Sequence, residues 1–239
     1  MTDDPVLGVL RLDYSYQPVL GDVDHPGSFA YKAIYRIVPG LSFEICQSGE
    51  ITEEIRRNCI DAVRYLDSQG VRGITGDCGF MINIEPLVRD HTEKPVFLSS
   101  LDQLPLILTS IGPDAEVGVL TANSKTLHLI EARLDRLAGV VDHSPRIQIL
   151  GCQNIPGFEA VAKGEKVDTA KVSKGLRDLV GDFLANNDKV KCLLFECTEL
   201  GVYANEIRLM SGLPVYDAIT HCDAFMSGFA LDTRFGVQS

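Results

Sequence analysis

Two cysteines occupy near-matching settings, Ile74-Thr75-Gly76-Asp77-Cys78-Gly79 and Leu194-Phe195-Glu196-Cys197-Thr198-Glu199. Each follows a short apolar run that reads as a buried strand, each has an acid directly before it, and each precedes a small residue and a predicted helix. A thiolate is a competent base: its reference pKa of roughly 8.5 falls at a helix start and rises on apolar burial. Two thiols facing each other across a cleft could take a proton from one side of a carbon and manage a proton or leaving group on the other. The pattern points to metal-free proton chemistry next to a carboxylate.

The flanking residues extend that chemistry. Thr121, Asn123 and Ser124 follow an apolar run and could hold a carboxylate through hydroxyl, amide and helix-start N–H groups; Ser124 could equally be a plain helix cap. Thr198 could add its backbone N–H, and Thr75 and Gly79 could do the equivalent from the other half. Asp77 and Glu196 stand open between a catalytic role and capping a loop. Cys197 is the preferred base, because Thr198 and Glu199 give it the more polar setting. Cys46, Cys59, Cys152, Cys192 and Cys222 read as core residues. His91, His128, His143 and His221 show no metal-ligand spacing, so no metal site is expected.

Elements that would position these groups can be read from periodicity. Strand-length apolar runs recur at Val6 to Leu12, Gly73 to Thr75, Val96 to Leu98, Val117 to Leu120, Ile147 to Leu150, Cys192 to Phe195, and Val215. Between them, Thr52 to Leu66 carries Ile55, Cys59, Val63 and Leu66 on one face, with Gly70 as a stop. A second helix is predicted from Ser124 through Leu137, ending at Gly139, and a third from about Thr169 to Leu184, interrupted by Gly175 and Gly181. Strands alternating with helices predict an α/β fold with parallel sheets, whose sites lie beyond the carboxyl ends of the strands. The thiols lie about half a chain apart, which fits two similar lobes. Tyr14 to Gly49 reads as one long, aromatic-rich loop.

Composition narrows the class. The chain has 239 residues, 45% of them apolar, enough for a large domain or two compact lobes. Its net charge of −11 argues against a nucleic-acid partner. No stretch reaches the roughly 18 apolar residues of a membrane span, and the acidic amino end does not resemble a signal peptide. Seven cysteines form an odd set without C-x-x-C spacing, so reduced thiols in the cytoplasm are expected.

Asp77-Cys78, Glu196-Cys197-Thr198-Glu199 and Thr121-Ala122-Asn123-Ser124 resemble the aspartate/glutamate racemase superfamily. More specifically, the chain is similar to the algal dimethylsulfoniopropionate (DMSP) lyases of the Alma type. That similarity rests on Gly21 to Phe29, Val38-Pro39-Gly40-Leu41, Ile74 to Met81, Pro156-Gly157-Phe158-Glu159-Ala160-Val161, Leu194 to Leu200 and Leu213 to Thr220. The resemblance covers nearly the whole chain. It implies two pseudo-symmetric Rossmann-like lobes, 1–111 (completed by 224–239) and 112–223, with the site in the cleft between them. It also implies Cys78 and Cys197 as the catalytic pair, no cofactor, and a homo-oligomer, dimer or tetramer.

The implied reaction removes the proton α to the carboxylate of a small zwitterion and expels dimethyl sulfide, leaving acrylate. A sulfonium is a soft cation suited to aromatic faces, for which Tyr14, Tyr16, Phe29 and Tyr35 are candidates, each with ordinary packing as its alternative. Asp22, Asp24 and His25 could close the loop over the cleft or bond locally. Racemisation of aspartate or glutamate through the same thiols is the alternative activity, and silent binding of a small carboxylate a third reading.

Overall fold

Strand β1 (Leu7–Arg11) is almost wholly buried and forms the middle of a parallel sheet, flanked by β2 (Ala33–Ile37) and β3 (Gly73–Gly76). Its register pairs Val9 with Tyr35 on one side and Thr75 on the other. A second parallel sheet has the order β5 (Ile147–Gly151), β4 (Glu116–Thr121), β6 (Val190–Phe195), β7 (Val215–Tyr216). Its central strands β4 and β6 carry the buried runs Val117–Leu120 and Cys192–Phe195, apolar without alternation because both of their faces are covered. The computed structural model describes residues 5–15, 17–129 and 146–230. The expected α/β class with two parallel sheets holds.

Tyr14 to Gly49 is not a single loop. It contains β2 and helix α1 (Phe43–Ser48), which starts with Ser42 Oγ accepting from the Ile45 amide. β2 is an edge strand with half-buried and exposed residues, so it lacks the apolar signature of the central strands. Val96 to Leu98, expected as a strand, makes only an isolated parallel bridge through Val96 to Ile74.

Helix α2 (Glu53–Ser68) follows the periodicity, capped by Thr52 and burying Ile55, Cys59, Ala62, Val63 and Leu66. The short α3 (Glu85–Arg89) and α4 (Leu104–Ser110) lead to the second sheet. Helix α5 (Ser124–Leu129) begins where predicted, and the rest of that predicted helix lies outside the described residues. Helix α6 (Thr169–Ala185) runs unbroken through both glycines, with Asp168 as its cap. At Gly175 a side chain would collide with Ile155, so this glycine permits close packing rather than a break.

After α7 (Ala204–Ser211) and β7 comes α8 (Ala218–Ser227), which starts with a reciprocal Asp217–Thr220 capping box. It packs back on the first sheet: Ala218, Cys222 and Met226 share a cluster with Leu7, Val9, Phe29 and Phe97. The larger clusters fill the space around α2 and β1 and, separately, around α6 and β6.

Candidate active site

The chain leaves β3 through Asp77 and enters a 3-10 turn at Gly79–Asn83 with Cys78 in the N-cap position; it leaves β6 through Glu196 and enters a 3-10 turn at Thr198–Tyr203 with Cys197 in the same position. Neither cysteine side chain makes a capping hydrogen bond. Both cysteines line one pocket of about 460 Å3. Each cysteine is 7% exposed.

Cross-links between the two sheets hold these turns together. Thr198 Oγ1 donates to the Asp77 carbonyl at 2.6 Å, and Ser100 Oγ donates to the Phe195 carbonyl at 2.7 Å. Gly79 lies against the Glu196 carboxyl so closely that any side chain at that position would collide with it. Asp77 does not face the pocket: both its oxygens accept from the Leu12 amide, at 3.1 and 3.0 Å, which fixes the end of β1 against the end of β3.

Cys197 Sγ donates to Glu199 Oε2 at 2.8 Å. Behind Glu199, the Tyr14 hydroxyl reaches Glu199 Oε1 at 3.5 Å and Asp24 Oδ2 at 3.4 Å, and Arg11 holds Asp24 with two bonds of 2.7 and 2.8 Å. Burial raises the Glu199 pKa, so its carboxylate is a stronger proton acceptor than in water. Burial, then the charges of Glu199 and Glu196, push the Cys197 thiol well above its ordinary value. Cys78 is pushed the same way by a hydrogen bond with Cys46 and by burial. At rest both cysteines are neutral thiols.

Among the other expected site residues, Gly79 and Asn123 line the pocket. Asn123 Oδ1 also accepts from the Thr126 amide and so caps α5, while Ser124 pairs with Gln153 through both its amide and its hydroxyl. Thr121 is fully buried and donates to Glu196 Oε2 at 2.7 Å. The hydroxyls of Thr75 and Thr198 serve backbone carbonyls, of Phe97 and Asp77 respectively.

The loop aromatics lie elsewhere. Tyr14 sits one layer behind the pocket, packed on Phe43; Phe29 stacks on Tyr31 within the cluster under α8; and Tyr35 donates to the Val23 carbonyl. Tyr16 is outside the described residues. His25 Nδ1 accepts from the Gly27 amide, a local bond, and Asp22 Oδ1 accepts from the Asp24 amide.

The aromatic lining is instead Phe43, Phe80 and Phe158. Phe80 and Phe158 lie in motifs already singled out in the sequence, Ile74 to Met81 and Pro156 to Val161, whereas Phe43 was hidden in the stretch read as loop. Lys125, Glu44, Glu159, Glu196 and Glu199 supply the charged lining, with Lys125 its one cation among the described residues. Among the described residues no group of three or more His, Cys, Asp or Glu is arranged to hold a metal ion.

Similar proteins give this geometry a context. Dimethylsulfoniopropionate lyase 7 of Emiliania huxleyi is 45% identical over 98% of this chain, which covers 70% of the relative. The dimethylsulfoniopropionate lyase of Durusdinium sp. clade D is 43% identical over 97% of this chain and 77% of its own length. The chain belongs to the dimethylsulfoniopropionate lyase family. It spans 63% of the length of lyase 3 of Emiliania huxleyi, at 45% identity.

No family model matches the chain. Solved structures similar to this member of the lyase family include an aspartate racemase from Picrophilus torridus (TM-score 0.60, 17% identity, 94% of this chain and 92% of that one). A glutamate racemase from Bacillus anthracis superposes with a TM-score of 0.60 at 14% identity, over 94% of this chain and 80% of that one. At these identities the likeness establishes the fold, which this lyase-family chain shares with the racemases.

Proposed function

We propose that this chain cleaves DMSP to dimethyl sulfide and acrylate, with Cys78 and Cys197 as the catalytic pair. The observation that carries the reading is that both thiols line one pocket that also presents three phenylalanines. Membership of the lyase family supplies the substrate class.

Cys197 is the better base. Its proton already points at Glu199 Oε2, so transfer along that hydrogen bond produces a thiolate and a neutral carboxylic acid with no change in the charge of the buried site. The thiolate takes the proton α to the substrate carboxylate. Electrons then move into the Cα–Cβ bond, the Cβ–S bond breaks, and dimethyl sulfide departs neutral with its electron pair. The developing enediolate needs donors, for which Asn123, Lys125 and Gly79, at the opening of one 3-10 turn, stand at the pocket. The ring faces of Phe43, Phe80 and Phe158 suit the sulfonium. Cys78 faces the same carbon from the other turn, to position the substrate or to protonate a transient species.

The elimination needs a proton acceptor, which these side chains supply, and a leaving group, which the substrate itself carries, so the proposed reaction calls on no cofactor. The acidic lining favours a zwitterion with one carboxylate over aspartate or glutamate, whose second carboxylate would face Glu44, Glu159 and Glu199. Racemisation remains the competing reading. Free cysteines throughout the described residues support a reducing, cytoplasmic setting. Headspace dimethyl sulfide from purified protein and DMSP tests the lyase reading; α-deuterium exchange into aspartate or glutamate, without dimethyl sulfide, overturns it in favour of the racemase.

A further inference from the structure

Glu196 is buried between the two thiol-bearing turns, and its two oxygens are treated differently. Oε2 accepts from Thr121 Oγ1 at 2.7 Å, whereas Oε1 is buried and has no hydrogen-bond partner. Oε1 lies against the backbone of Gly79, the residue after Cys78, and Glu196 itself directly precedes Cys197. Its charge bears on Cys78 after β3, on Cys152 after β5 and on Cys197 of its own turn, and Glu199 is the other carboxyl nearby. Lys125 of α5, the pocket's cation, is solvent-exposed. A buried carboxylate beside two thiols, with one hydroxyl donor and a free oxygen, is a group whose proton decides the charge of the whole site.

We propose that Glu196 tunes both thiols together: ionised, it opposes formation of either thiolate, and protonated on Oε1, the oxygen Thr121 leaves free, it releases them. Burial raises its pKa to about 7, against the pull of the Thr121 and Ala122 hydrogen bonds, so the change falls in the physiological range. The neutral form also removes one negative charge from a pocket that must admit a carboxylate. The inference rests on the reading of Cys78 and Cys197 as the reacting pair, and it makes Glu196 a positioning residue that acts through them.

The test is the rate of alkylation of Cys78 and Cys197 by iodoacetamide, followed by mass spectrometry across a pH series for wild type and Glu196→Gln without substrate. The ratio of variant to wild-type rates is expected to stay near one below about pH 6, pass a midpoint near 7, and reach roughly fivefold above about pH 8. A ratio that is flat, or that falls with pH, overturns the proposal. Thr121→Val removes a donor favouring the ionised carboxyl, so Glu196 keeps its proton to higher pH and the midpoint at which the brake on thiol reactivity sets in should move upward; an unmoved midpoint also overturns it. Headspace dimethyl sulfide is measured on the same samples. Its absence from wild type alongside the expected ratio sinks the lyase reading alone, and its presence with a flat ratio sinks the role of Glu196 alone.

Discussion

Cys197 Sγ and Glu199 Oε2 are 2.8 Å apart within one 3-10 turn, so a thiol and the carboxylate able to take its proton come from residues i and i+2 of the same backbone segment. The pair is therefore set by local geometry, while its counterpart Cys78 has to be brought in by the first sheet. Glu199→Gln keeps the shape and removes the acceptor. It is expected to lower kcat for dimethyl sulfide release by about 100-fold with little change in KM. An equal loss carried by KM would assign Glu199 to binding.

Cys78→Ser and Cys197→Ser test the two thiols separately. Each is expected to lower kcat/KM by about a thousandfold or more, because serine is a far weaker acid and cannot form the anion at neutral pH. Residual activity within tenfold of wild type for either variant would remove that cysteine from the mechanism.

Gly79→Ala adds a methyl group where the Glu196 carboxyl sits. The turn carrying Cys78 has to move away from the one carrying Cys197, at a cost of about 1–3 kcal/mol in stability. Thermal unfolding should show a lower Tm together with a large loss of dimethyl sulfide release. Unchanged values of both would mean that the two turns yield easily.

Phe158→Ala removes an aromatic face from the pocket without touching either thiol. KM for DMSP should rise about fivefold to thirtyfold, the range of a cation–π contact of roughly 1–2 kcal/mol, with kcat less affected. Affinity unaffected by this change would place the sulfonium against Phe43 or Phe80 instead.

Asp102, far from the thiols in sequence, is raised to about 8 by burial, the charge of Glu85 and a hydrogen bond with Glu85. Its Oδ2 has no partner. A carboxyl whose pKa is higher folded than unfolded stabilises the fold fully at low pH and progressively less as pH rises from its unfolded value of about 3.9 through its folded one. Asp102→Asn is expected to flatten this decline and to be more stable than wild type above about pH 8, by at least about 1 kcal/mol. Urea midpoints at several pH values provide the measurement.

The thiol-bearing turns were legible because Asp77-Cys78 and Glu196-Cys197 each end an apolar run, a purely local signal. The strands around β1, β4 and β6 were legible for the same reason. β2 was not, since half of an edge strand faces water and its five residues alternate weakly. Assigning Phe29 to the pocket failed on a tertiary fact: its ring is covered by a cluster that includes residues of α8, from the opposite end of the chain. The Thr75 and Thr198 hydroxyls are taken up by the carbonyls of Phe97 and Asp77, partners that only the fold brings alongside. Phe43 and Phe158 reach the pocket from α1 and from the turn after β5, positions no periodicity assigns to a site.

Because Ala218, Cys222 and Met226 close the face formed by Leu7, Val9 and Phe97, β1 waits for a helix made about 210 residues after it. During synthesis that greasy surface stays wet until residue 226 has cleared the ribosome, so the nascent polypeptide is sticky up to that point. Dependence on chaperones should be greatest before this helix emerges, and shortened chains lacking it should clump rather than persist partly folded.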